Sequence, residues 1–168
     1  MSKVVHGVYL LLGANLGNPP ETFLQAIQLL NPSITVSRKS SLFITAPWKM
    51  ESENWFYNQV LEVETRLSPE EVLGVILDVE RDLGRLRNGG AAYEDRLIDI
   101  DILLFGKQLY QSDDLQVPHK FLNQRAFALM PLLELSPECR EPGTDIPYEN
   151  YLERLDEERQ KIKKLEGY

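Results

Sequence analysis

Two acidic residues carry the clearest chemistry in the chain. Asp99 and Asp101 are separated by one residue in the run Leu97-Ile98-Asp99-Ile100-Asp101-Ile102-Leu103-Leu104-Phe105. A strand sends alternate side chains to one face, so the two carboxylates would emerge together, roughly 6 to 7 Å apart along the backbone. Such a pair can share hard divalent cations, which favour oxygen ligands, retain water and bridge protein carboxylates to substrate phosphates. Magnesium ions held there would polarise phosphoryl oxygens and neutralise charge during a transfer. The same pattern also describes the solvated face of an amphipathic strand. The pair therefore needs company before it reads as a site.

Arginines supply some of it. Arg81, Arg85 and Arg87 close a helical stretch and enter a glycine-containing segment, and Arg96 stands immediately before the acidic run. Guanidinium groups make paired, directional bonds to phosphate oxygens, although arginines at a helix carboxyl end also serve simply to complement its dipole. His119, in Val117-Pro118-His119, can donate to phosphate, assist proton transfer or act as a structural donor. Trp48, Trp55, Phe56, Tyr57 and Phe127 offer stacking faces, and Asn58 can read a heterocycle through paired donor and acceptor bonds. Core packing is the more ordinary explanation for any one such aromatic. Gly13-Ala14-Asn15-Leu16-Gly17 lacks the lysine and spacing of a P-loop, so its glycines are read as permitting a tight strand-to-helix turn. No Ser, His and Asp arrangement suggests acyl transfer.

These residues require a scaffold. Val5 to Leu12 reads as a buried strand; Phe23, Ala26, Ile27 and Leu30 then recur at helical spacing behind Asn18-Pro19 and Glu21, a helix start with a capping box. Ile34 to Thr45 supplies a second strand and Asn58 to Thr65 an alternating third. Ser68-Pro69-Glu70-Glu71 opens a second helix, striped by Val72, Val75, Ile76, Val79 and Leu83 and ended near Gly84, before the acidic fourth strand from Leu97 to Phe105. The order strand, helix, strand, strand, helix, strand predicts an α+β fold: a ferredoxin-like βαββαβ core, an antiparallel sheet with helices packed on it. Additional C-terminal helices are expected: a short one holding Arg125, Phe127 and Met130 and bounded or kinked by Pro131, and a last one after Pro147. From about residue 157 to 168 charges alternate so densely that the end is expected to face solvent or fray. With no repeat or long linker, a single domain over 1–168 is expected.

Bulk properties narrow the function classes. The 168 residues, 43% hydrophobic and 26% charged, make a globular mixture. A formal net charge of -8 opposes approach to nucleic-acid backbones and anionic membranes, while a small phosphate ligand answers to local donors and metal ions instead. The single cysteine, Cys139, excludes an intrachain disulfide and no Cys and His spacing suggests zinc, so a reducing, cytoplasmic setting is expected. No signal-type segment or membrane span is read in the chain.

Taken together, the segments resemble the 6-hydroxymethyl-7,8-dihydropterin pyrophosphokinases, HPPK. The resemblance covers most of residues 5 to 140 and rests on Leu12-Gly13-Ala14-Asn15-Leu16-Gly17, Phe56-Tyr57-Asn58, Glu80, Gly84-Arg85-Leu86-Arg87, Arg96 through Leu103, Val117-Pro118-His119 and Arg125-Ala126-Phe127. It implies transfer of the terminal diphosphate of ATP to the hydroxymethyl group of a reduced pterin, with release of AMP, by a monomer. It further implies that Asp99 and Asp101 carry two magnesium ions, that Arg85 and Arg96 orient the moving phosphates, and that Glu80, Arg87, His119 and Arg125 serve the nucleotide side. Phe56 and Phe127 would sandwich the pterin near Asn58, with Thr45 and Trp48 bordering the pocket.

The chain also departs from the family pattern. Where Arg-Trp-Gly-Pro-Arg commonly precedes the acidic strand, this chain has Ala92-Tyr93-Glu94-Asp95-Arg96, and Lys49 occupies a glycine position after Trp48. The altered loop is expected to limit closure more than capture of magnesium-bound ATP. Two alternatives stand beside the transferase: a catalytically weakened nucleotide-binding homologue, and a ferredoxin-like interaction module without a small substrate.

Overall fold

The computed structural model describes residues 2–46, 55–84 and 97–166. In chain order its elements are β1 (Val5–Ala14), α1 (Pro19–Leu30), β2 (Thr35–Lys39), β3 (Phe43–Thr45), β4 (Phe56–Thr65), α2 (Pro69–Asp82) and β5 (Asp99–Phe105). Then follow β6 (Tyr110–Gln111), β7 (Gln116–Val117), a 3-10 turn (Leu122–Gln124), α3 (Ala126–Leu135), α4 (Tyr148–Glu153), α5 (Asp156–Gln160) and β8 (Ile162–Lys164). The large sheet runs β5-β1-β4-β3-β8, with β2 also paired to β4, and each of these pairings is antiparallel. This is the ferredoxin-like βαββαβ core, extended by the C-terminal helices and a last strand. Among the described residues no helix is long and apolar enough to cross a membrane.

Alternation along the central strands builds two cores. Val8, Leu10, Leu12 and Ala14 point to one face, where Phe23, Ala26 and Leu30 of α1 and Val72, Ile76 and Val79 of α2 complete an apolar layer. Tyr9 and Leu11 point to the other, against Leu129 and Leu132 of α3 and Tyr148 and Leu152 of α4. Both covering helices are started by side chains that satisfy orphan N–H groups. Asn18 accepts the Glu21 N–H, and Ser68 with Glu71 forms a full reciprocal capping box. The positive φ of Gly17, 67°, makes the turn into α1.

Several elements differ from their expected form. The second strand divides into β2 and β3 because Ser40, buried between them, is held by side chain and backbone: its N–H donates to the Val60 carbonyl, its Oγ accepts the Val60 N–H and its carbonyl accepts from Gln59 Nε2. Pro131 lies inside α3 and does not end it. That helix is apolar nearly all round and buried along most of its length, so packing carries it past the missing N–H. The final helix is likewise two short ones, α4 and α5. Among the described residues of the charged C-terminal stretch most are exposed, and Ile162–Lys164 forms β8. There Ile162 is buried, the Lys164 ammonium reaches Glu134 at 3.0 Å, and the Leu165 N–H donates to the Leu42 carbonyl.

Candidate active site

One β-bulge decides where the acidic strand aims its side chains. Tyr9 pairs with Leu104 but Leu10 pairs with Ile102, which leaves Leu103 as the extra residue of β5. On one side of the bulge Ile98, Ile100 and Ile102 enter the α1/α2 core, and beyond it Leu103 and Leu104 both enter the α3/α4 core. Asp99 and Asp101 therefore share the α3/α4 face and are half-buried at the end of that core. They are not a fully solvated strip.

His119 is brought beside them by β5 itself. Its backbone N–H donates to the Leu103 carbonyl at 2.9 Å, and its Nδ1 accepts the Phe121 N–H at 3.2 Å. An Nδ1 that accepts places the ring hydrogen on Nε2, and Nε2 lies 3.9 Å from Asp101 Oδ1. Burial, reinforced by the nearby Arg125 charge and only partly opposed by Asp99, lowers the imidazole to about 4. The contact with Asp101 is accordingly that of a neutral N–H donor beyond hydrogen-bond reach, not an ion pair.

The other half of the site lies across the sheet in register. Gly13 of β1 is opposite Asp99 on one side and Asn58 of β4 on the other, and Asn58 is in turn opposite Phe43 of β3. Two strand spacings, about 10 Å, separate Asp99 from Asn58, and the residue between them has no side chain. A Cβ at Gly13 would meet Asn58 Oδ1 at 3.2 Å. Gly13 thus serves close approach within a strand, whereas the sequence reading gave both glycines of this segment to the turn. One step further along the same face, Phe56 pairs with Thr45. Thr45 Oγ1 is buried without a hydrogen-bond partner among the described residues, the kind of unmet group that a polar heterocycle satisfies.

Over this end of the sheet, Arg125 is the N-cap residue of α3 and Phe127 lies in its first turn, with the guanidinium carbon 5.6 Å from the Phe127 ring centroid. Glu80 is buried near the carboxyl end of α2, in the helix layer on the opposite face. That end of α2 reaches the start of β5, where Leu97 packs against both Gly17 and Gly84. The structure thus gathers Asp99, Asp101, His119, Arg125, Asn58, Phe56, Thr45 and Phe127 around one end of one sheet face, with Glu80 behind it. Trp48, Arg85, Arg87, Arg96 and the altered loop lie outside the described residues.

The family model for 7,8-dihydro-6-hydroxymethylpterin-pyrophosphokinase (HPPK) matches residues 9–137, which takes in the whole of this arrangement. The chain belongs to the HPPK family. A relative from Methylorubrum extorquens, a 2-amino-4-hydroxy-6-hydroxymethyldihydropteridine pyrophosphokinase, is 36% identical over 132 residues, covering 77% of this chain and 82% of that protein. An Arabidopsis thaliana mitochondrial folate synthesis bifunctional protein is 40% identical over 131 residues, 77% of this chain. The match spans only 23% of that longer plant protein. The fold is shared with a solved Plasmodium falciparum HPPK-DHPS structure with pterin and p-hydroxybenzoate, at a TM-score of 0.73 and 16% identity, over 98% of this chain and 47% of that one.

Proposed function

We propose that this HPPK-family chain transfers the terminal diphosphate of ATP to the hydroxymethyl group of 6-hydroxymethyl-7,8-dihydropterin, in folate biosynthesis. The pterin hydroxyl oxygen bonds to the β-phosphorus, the bond from that phosphorus to the α-phosphate oxygen breaks, AMP leaves and the hydroxyl proton is released. The observation that carries this reading is the row Asp99, Gly13, Asn58, with carboxylates at one end, an amide at the other and an open glycine between.

On this reading Asn58 reads the pterin edge, Phe56 and Phe127 flank its ring, and Thr45 and Trp48 border it. His119 offers its neutral Nε2–H, and Arg125, Arg85, Arg87 and Arg96 offer guanidinium donors, to the phosphates, with Glu80 on the nucleotide side. Arg85 and Arg96 orient the moving group. Alignment and charge compensation are what such a transfer demands of a protein.

Asp99 and Asp101 suit magnesium as a donor set. Among the described residues no group of three His, Cys, Asp or Glu gathers as a metal cage, but magnesium that bridges to substrate phosphates needs only one or two carboxylates and keeps its waters. When bound, two ions would neutralise and polarise the triphosphate. The chain would work as a cytoplasmic monomer, with neither membrane nor nucleic acid as partner.

The test is incubation of the purified chain with ATP, magnesium and the reduced pterin. AMP and pterin diphosphate in equal amounts are expected. ATP binding without transfer would instead identify a weakened homologue, the reading favoured by Glu94 and Asp95 in place of the family's Gly-Pro. Absence of both would leave an interaction module.

A further inference from the structure

Phe121 is unexplained by the packing of the fold. It is a large apolar residue that remains 39% exposed beside the site, and it belongs to neither core. Its neighbours are cations. The Arg125 guanidinium carbon lies 5.1 Å from its ring centroid and the Lys120 ammonium 4.9 Å. Its ring also tilts against the His119 imidazole, 6.1 Å between centroids at 53°, while its backbone N–H fixes the His119 tautomer.

The local chain path explains why these groups meet. The Leu122 N–H donates to the His119 carbonyl and the Gln124 N–H to the Phe121 carbonyl, so residues 119–125 wind through tight successive turns into α3. The winding places Arg125 against Phe121, and its guanidinium is also 5.6 Å from the Phe127 ring. Among the described residues Arg125 has no carboxylate partner, and its guanidinium lies against the Phe121 and Phe127 rings. An arginine positioned by aromatic faces keeps its hydrogen-bonding edge available, since ring contact uses the cation's face.

We infer that Phe121 is a positioning residue, the aromatic platform that holds Arg125, with Lys120 beside it, in the orientation that receives the phosphates of the nucleotide. The inference rests on the nucleotide reading above and adds a residue to it. Phe121 touches no substrate; it acts through Arg125. Removing the ring frees the long side chain to sample other rotamers, so the loss falls on nucleotide affinity and leaves the pterin side unchanged.

Binding of magnesium with an ATP analogue carrying a methylene group between its α- and β-phosphates tests this by calorimetry. Phe121→Leu is expected to weaken affinity about fivefold, while Phe121→Trp, which restores a ring face, stays within about twofold of the unsubstituted chain. Arg125→Ala is expected to weaken binding more, and adding Phe121→Leu to it should cost less than about twofold further, since the platform then has lost its main load. In transfer assays Phe121→Leu should raise KM for ATP with KM for pterin unchanged. Equal losses from Phe121→Leu with and without Arg125, or failure of Trp to restore affinity, would overturn the platform. Normal binding by the unsubstituted chain together with normal binding by Phe121→Leu would overturn this inference alone. Failure of the unsubstituted chain to bind the analogue would overturn the nucleotide reading, and the inference with it.

Discussion

The two faces of the central sheet are made by the same strands and end differently. On the α1/α2 face the apolar rows continue to the strand ends: Leu12 and Ala14 of β1, Ile100 of β5 and Ile98 just before it are all nearly or fully buried. On the α3/α4 face, Tyr9, Leu11, Val60, Leu103 and Leu104 are buried in the middle of the sheet, but the following positions are Asp99, Gly13, Asn58 and Phe56. One face is a core throughout, and the other is half core and half site. Because strand neighbours point oppositely, Ile98 and Ile100 on the closed face fix the strand that presents Asp99 and Asp101 on the open one.

That contrast can be broken from the closed side first. Ile100→Ala, in a position only 4% exposed, should destabilise the fold by about 2–5 kcal/mol through lost burial and a residual cavity. Denaturant unfolding checks this, and the fraction that remains folded should bind nucleotide normally. On the open face Asp101→Ala should reverse the pattern: about 100-fold slower transfer with a melting temperature within a few degrees of the unsubstituted chain. Single-turnover rates at saturating magnesium, beside a thermal melt, separate the two.

Gly13→Ala sharpens the comparison within the open face. Its Cβ would press on Asn58 Oδ1 at 3.2 Å, so pterin affinity should fall about tenfold, the scale of one disturbed hydrogen-bond pair, with ATP affinity unchanged. Titration with each ligand in turn decides it. The smallest effect is expected in the closed half of the α3/α4 face. Tyr148 is fully buried, its hydroxyl has no partner among the described residues, and burial pushes its phenol well above the usual tyrosine range. Tyr148→Phe should therefore be neutral or stabilising by up to about 1 kcal/mol, with transfer unchanged.

Much of this was legible in the amino-acid order because local rules and tertiary packing agree. Ser68 and Glu71 announce α2 and cap it reciprocally, and the isoleucines of β5 alternate with its aspartates as a half-buried strand must. The order of elements then gives the ferredoxin-like core. What was not legible depends on pairing between distant segments. The bulge at Leu103 shows only in the β1–β5 register, and Gly13 reveals its purpose only when Asn58 is placed across from it. The C-terminal charges conceal β8, whose partner β3 lies more than a hundred residues earlier. Phe121 carried no pattern at all, since its cation contacts come from turns at 119–125 that periodicity does not describe.

The location of the site on the open half of one face is tested most directly by replacing magnesium with manganese and measuring paramagnetic broadening of backbone amide resonances in the presence of the methylene ATP analogue. The strongest broadening is expected at Asp99 to Asp101 and His119, with intermediate effects at Gly13 and little along α1. Strongest broadening along α1, or broadening spread evenly over the acidic surface, would contradict a nucleotide and metal site built on Asp99 and Asp101.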